Sequence, residues 1–290
     1  MSGLWTRWVA FTGRPLDTRP LALVRIGAAS CVLLDLLRVA WLGLVPVLFR
    51  PWEAGGLSTF TDDAVWIDQL SPLWAGPVAF WLAVVCMGFV VLGILSRPAT
   101  LLGVLAYAQL GHLYPPGDRG VDRILRCVLL ILLLSQAHRR YSLARGPRRE
   151  TCSAWPSDLI RLLLVCVYMS AGISKVMATP QWFGTGQWPV LYRILGDPLA
   201  AKVDPGITHP IWLAFTRLGS LSTVLLECGA VLILTRFAPW WAAVAVVMHL
   251  GIAVTMELGM FAWGMLALYP VLLWPWLQRW LDREASSSRS

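Results

Sequence analysis

The chain has 290 residues, 57% of them apolar and only 14% charged, with a mean hydropathy of +0.65, 17 tryptophans and a net charge of +8. A soluble globular domain carries about 25% charged and about 45–50% apolar residues, so the polar complement here is too small to cover a folded surface in water. That excludes a soluble enzyme, a disordered regulator or a disulfide-stapled secreted module, and it points to a chain that crosses a membrane several times.

Taken in chain order, apolar stretches near the length of a membrane span (about 20 residues) fall at 20–45, 73–95, 99–113, 121–136, 158–178, 211–235, 239–256 and 259–280. The third and fourth are short, and the Pro-Pro-Gly-Asp at 115–118 predicts a hairpin between them. Arg14, Asp17 and Arg19 precede a first stretch too long for the core of a cleavable signal. The expected fold is therefore all-α: a polytopic transmembrane helical bundle of about eight spans. It forms a single domain over 1–285, with 286–290 a disordered tail.

The 22 arginines and 2 lysines form no basic stripe for a phosphate backbone, so no nucleic-acid partner is expected. Alternating the predicted spans puts thirteen basic residues on the amino-terminal side, from Arg7, Arg14 and Arg19 to Arg279, Arg283 and Arg289. Four lie opposite (Arg50, Arg119, Arg193 and Lys202). Positive loops face the cytoplasm, so both termini are expected inside. The arginine-over-lysine bias suggests a bacterial cytoplasmic membrane, with membrane lipids as partners. Five of the six cysteines sit in apolar runs as small packed hydrophobes. No His, Cys or carboxylate pair stands at ligand spacing on one span face, so no metal is expected.

Seven basic residues fall inside or at the edges of spans: Arg25, Arg38, Arg123, Arg126, Arg161, Lys175 and Arg217, accompanied by Asp35, Asp122, Asp158 and Glu227. A charge at mid-bilayer costs about 2.5–3.5 kcal/mol on insertion scales, so such groups face a protein interior or a wet cavity. Arg25 and Asp35 are too far apart for a contact within one helix, and each needs a partner from another element. Arg123 and Arg126 share one helix face, suited to an anionic group or to pairing with Asp122 and Asp118.

Residues 167–193, VYMSAGISKVMATPQWFGTGQWPVLYR, carry the most information. Tyr168, Ser170, Gly172 and Ser174 make a small, polar, closely packable span end, and Lys175 follows about a turn from the membrane surface. Arginine keeps its proton in a protein, whereas a desolvated lysine can release it and act as a base. The bland alternative is a lysine that snorkels to the surface. After Pro180 the helix stops. Trp182, Phe183, Trp188 and Tyr192, spaced by Gly184, Gly186 and Pro189, form an interfacial or re-entrant element after the fifth span, or roof a cavity for a flat apolar ligand.

On these residues the chain resembles the HTTM (horizontally transferred transmembrane) domain family, whose best-known members are the animal vitamin K-dependent gamma-carboxylases. Its AG-apolar-x-K pattern and following W-x-x-G region correspond to Ala171–Val176 and the stretch from Trp182 to Gly186. Further similar patches are Arg14-Pro15-Leu16-Asp17, Arg25 with Asp35, Tyr141-Ser142-Leu143, His249 and Gly259-Met260-Phe261. The resemblance implies Lys175 as the base toward a reduced quinone (vitamin K hydroquinone or menaquinol type) that reacts with O2. In the carboxylases, the strong base so produced deprotonates a glutamate γ-carbon for CO2 addition. On that reading His249 relays protons, and an auxiliary catalytic role falls to Asp122, where the carboxylases have other residues. Arg25, Asp35, Arg123, Arg126, Tyr168, Trp182, Trp188 and Glu227 are then expected to bind substrate or balance charge.

Two departures from the carboxylases count. Val121-Asp122-Arg123 stands where they have an Asn-His pair, and the sequence stops soon after its last predicted span, with no counterpart to their large extramembrane part. The expectation is a quinol- or lipid-linked oxygenase or epoxidase. The alternatives are an accessory for maturation or export of a secreted peptide, and a lipid-binding membrane protein without chemistry.

Overall fold

The computed structural model describes residues 2–58, 72–144, 150–178, 180–183, 189–197, 199–202 and 210–287. The chain divides into two compact units, Met1–Ser157 and Asp158–Ser290.

In the first unit, α1 (Ser2–Gly13) and strand β1 (Pro15–Asp17) lead into α2 (Arg19–Trp41) and the short α3 (Val45–Phe49). Then come α4 (Pro72–Leu92), α5 (Ser96–Leu113) and α6 (Gly120–Leu134), and β2 (Thr151–Ser153) pairs antiparallel with β1, Leu16 opposite Cys152. Helix α4 shows why these helices form a bundle in lipid. Ala75, Ala79, Phe80, Ala83, Met87 and Val90 are buried at helical spacing, while Val78, Trp81, Val85 and Phe89 stand exposed on the other face. A helix apolar all round has no water-facing side. Small residues let the backbones close up: a Cβ on Gly103 of α5 would stand 2.9 Å from Cys86 Cβ of α4. Gly93, at φ +74°, turns the chain out of α4. There Ser142 Oγ donates to the Gly93 carbonyl (2.8 Å) and the Leu143 amide to the Leu92 carbonyl (2.9 Å). The Tyr141-Ser142-Leu143 motif thus satisfies carbonyls that the end of α4 leaves open.

The predicted hairpin is present: α5 and α6 pack on each other across a 3-10 turn at Pro115–Gly117.

The second unit holds α7 (Trp155–Ala178), α8 (Val190–Leu195), α9 (Pro210–Cys228), α10 (Ala238–Thr255), α11 (Phe261–Leu266) and α12 (Pro270–Ser287). Helix α7 begins at the close of the first unit. On α10, Trp241, Ala242, Ala245 and His249 face inward and Trp240, Val244, Val247 and Val254 outward. After Ala178 the helix does end, and a 3-10 turn occupies Pro180–Phe183.

Among the described residues, five helices are long and apolar enough to cross a membrane: Arg19–Trp41, Ala75–Leu92, Trp155–Ala178, Pro210–Leu234 and Ala238–Thr255. The chain is an all-α, multi-pass membrane protein, and the count of eight spans is only approximate. The stretch 259–280 is not one span but two helices, α11 and α12, broken ahead of Pro270, which starts a helix more readily than it continues one. Helix α12 reaches Ser287, into the expected tail. Pro275 inside α12 has no N–H for the carbonyl of Val271, four residues back. Arg161 of α7 supplies the missing donor, its Nη2 lying 2.9 Å from that oxygen.

Candidate functional site

Most of the ionisable residues expected at the site fall into two clusters, one in each unit.

In the second unit, Gly172 lets α7 approach α9: a Cβ there would stand 2.9 Å from the backbone nitrogen of Cys228. One turn on, Lys175 therefore reaches Glu227, Nζ lying 2.8 Å from Oε1 and 2.7 Å from Oε2. The Glu227 side chain is 9% exposed and that of Lys175 21%. The Trp182 ring, on the 3-10 turn after α7, lies 5.0 Å from the ammonium as a cation–π partner. Lys175 does not simply snorkel; it is clasped between a carboxylate and an aromatic face. Seven residues earlier on the same helix face, the Tyr168 hydroxyl meets Tyr269 Oη at 2.5 Å and His249 Nε2 at 2.7 Å. Trp241 packs edge-on against Tyr168, and Phe261 against His249. His249 is 1% exposed, and its Nδ1 is buried without a hydrogen-bond partner among the described residues. Trp241, edge-on against Tyr168, donates its indole N–H to the carbonyl of Leu226, the neighbour of Glu227, at 2.9 Å. Trp188 lies outside the described residues.

In the first unit, Arg119 caps α6 and bridges two carboxylates. Its Nη2 is 2.6 Å from Asp35 Oδ2 and its Nε 2.9 Å from Asp122 Oδ2, and Tyr107 Oη donates to Asp122 Oδ1 at 2.7 Å. Burial disfavours the Arg119 guanidinium, but hydrogen bonding to Asp122 and the charges of Asp35 and Asp122 outweigh it and raise its pKa. Asp118 is the converse, a carboxylate between Arg126 (2.8 Å) and Arg123 (2.9 Å). Burial works against its charge; the two guanidiniums prevail and hold its pKa below the usual carboxylate value. Arg123 and Arg126 thus both pair with Asp118 and neither with Asp122. All of these but Arg123, together with Arg38, border a cavity of about 310 Å³ whose other walls include Leu36, Val39, Leu48 and Phe49.

Arg25 stands apart from both clusters. It is 2% exposed, and its Nη1 and Nη2 donate to the carbonyls of Ala137 (3.1 Å) and Tyr141 (2.7 Å). Partners from other elements were expected for Arg25 and Asp35, and both have them. Arg119, Tyr107 and Tyr269 were missed by sequence reasoning. For Arg119 a signal existed, since an acidic residue three positions on can accept from the N–H of the residue that opens a helix, as Asp122 does from Arg119. Among the described residues, no group of three or more His, Cys, Asp or Glu side chains is arranged to hold a metal ion.

Residues 13–276 match the family model of the HTTM domain. The chain belongs to the HTTM family. Its Ala-Gly motif is the close approach of α7 to α9, its lysine the partner of Glu227, and its histidine the partner of Tyr168. No curated protein and no solved structure matches the chain.

Proposed function

We propose that this HTTM protein is a membrane-embedded enzyme acting on a reduced quinone, or a similarly flat lipid-linked substrate, with O2. Lys175 is the base, and the protein lies in a bacterial cytoplasmic membrane with both termini inside. The observation that carries the reading is the Lys175–Glu227 pair beneath Trp182. An amine that is to take a proton must first give one up, and Glu227, 2.7 Å away, is placed to receive it. The donor set suits a quinol: a basic nitrogen for its hydroxyl and an indole face for its ring. A reduced quinone with O2 supplies the oxidising chemistry when bound. The chain's own residues orient and move protons: Trp182 fixes the ammonium, Glu227 exchanges its proton, and Tyr168 with His249 holds the wall behind them. The arginine asymmetry between alternate loops supports the orientation.

The test is oxygen uptake by purified protein given reduced menaquinone. Wild type is expected to consume oxygen, and Lys175→Ala and Glu227→Gln to fall to background. Lys175→Arg keeps the charge and an ion pair but cannot release its proton, so it is expected to remain folded and inactive. Equal uptake by wild type and Lys175→Ala, or full activity in Lys175→Arg, sinks the proposal.

A further inference from the structure

The first unit contains a built cavity that the proposed chemistry at Lys175 does not use. It has an apolar wall from α2 and α3 and a polar side contributed by α2, α5, α6 and the turn before α6. The polar side carries both signs. Asp35, Asp118 and Asp122 line it together with Arg38, Arg119 and Arg126, with Arg119 between Asp35 and Asp122 and Arg126 against Asp118. Only one oxygen of Asp35 is engaged by Arg119, and its side chain is 20% exposed. Arg126 has an amino group, Nη1, that is buried with no hydrogen-bond partner among the described residues. Its guanidinium stands over the Tyr107 ring, 5.5 Å from the centroid.

We propose that this cavity binds a zwitterionic headgroup carrying a primary ammonium and a phosphate, the ammonium on Asp35 and the phosphate on the Arg126 side. A purely anionic headgroup would face Asp35 and Asp122, and a purely cationic one would face Arg119 and Arg126. Only a ligand with both charges meets each sign with its opposite. Asp35 asks for a hydrogen-bond donor as well as a charge, which a primary ammonium supplies and a trimethylammonium does not. A volume of about 310 Å³ is at the low end for ligand pockets. It holds a headgroup and the first carbons of a chain, with Leu36, Val39 and Phe49 against the apolar part.

The full chain, stripped of lipid in detergent, would be exchanged into nanodiscs of equal phosphatidylethanolamine, phosphatidylcholine and phosphatidylglycerol. Retained molecules are then counted by native mass spectrometry. Wild type is expected to retain phosphatidylethanolamine about tenfold over the other two, the worth of one charge-assisted hydrogen bond. Asp35→Asn removes the acceptor charge, and Val39→Phe fills the apolar side without touching an ion pair; each is expected to abolish the preference. Soluble phosphoethanolamine distinguishes the source: competition by it marks recognition of the headgroup alone, and failure to compete marks a lipid. Equal retention of all three lipids, preference for phosphatidylglycerol, a retained quinone in place of lipid, or an unchanged preference in both variants overturns the proposal.

Discussion

Gly172 lies against Cys228 so closely that a Cβ at position 172 would stand 2.9 Å from both the backbone nitrogen and the Sγ of Cys228. The Ala-Gly pair before the family lysine is thus a spacing device. It lets α7 and α9 meet where Lys175 and Glu227 must touch. Gly172→Ala is expected to push the helices apart and cost about 1–3 kcal/mol, as overpacking does. Thermal unfolding in detergent checks this; an unchanged midpoint would mean that the helices do not touch there.

Removing one partner of the Lys175–Glu227 pair leaves the other charge buried. Lys175→Met and Glu227→Gln are each expected to destabilise the protein by about 2–4 kcal/mol, somewhat under the full cost for a buried pair because Lys175 is partly exposed. The double variant Lys175→Met/Glu227→Gln should recover much of that loss, since no charge is then stranded. If the two losses simply add in a double-mutant cycle, the pair has no coupling.

Tyr168 is the hub of its triad, so its removal strands two groups while that of Tyr269 strands one. Tyr168→Phe is expected to cost more than Tyr269→Phe, by about 1–3 kcal/mol, the penalty of one further unsatisfied buried group. Equal midpoints for the two variants would contradict the geometry.

Asp118 gives a pH signature. Its pKa in the folded chain lies below the ordinary value of 3.8, so the unfolded chain takes up the proton first as the solution is acidified. Its stabilisation is therefore complete at neutral pH and is lost as pH falls below about 3.8. Asp118→Asn should flatten that acid limb of the midpoint-against-pH curve. Identical limbs in the two proteins would show that Arg126 and Arg123 do not hold the carboxylate.

Arg161 and Pro275 should be energetically coupled, because the guanidinium supplies the donor that proline withholds from the Val271 carbonyl. Arg161→Met is expected to cost about 1 kcal/mol more in wild type than in Pro275→Ala, where an alanine N–H is available. A cycle that closes without coupling would remove this role for the arginine.

What was legible in the sequence was what is local. Hydropathy marks the five long helices, Pro-Pro-Gly-Asp marks the α5–α6 turn, and the small residues around Gly172 mark a close approach. The need of Arg25 and Asp35 for distant partners followed from the cost of burying charge. Which partners they found was not legible, because Arg119 is 84 residues from Asp35 and Tyr141 is 116 from Arg25. The Tyr168–His249–Tyr269 triad was hidden for the same reason, being drawn from three helices. The break ahead of Pro270 was missed because apolar residues continue across it, so hydropathy does not drop where the helix stops.

Arg25 makes the turn after α6 part of the interior of the first unit, since both of its amino groups end on main-chain oxygens of that turn. An epitope tag or protease site spliced between Ala137 and Tyr141 would drag those oxygens away and leave a guanidinium adrift among hydrocarbon. Although it reads as an ordinary surface connection, this turn is a poor place for insertions, and its length is fixed from inside the bundle.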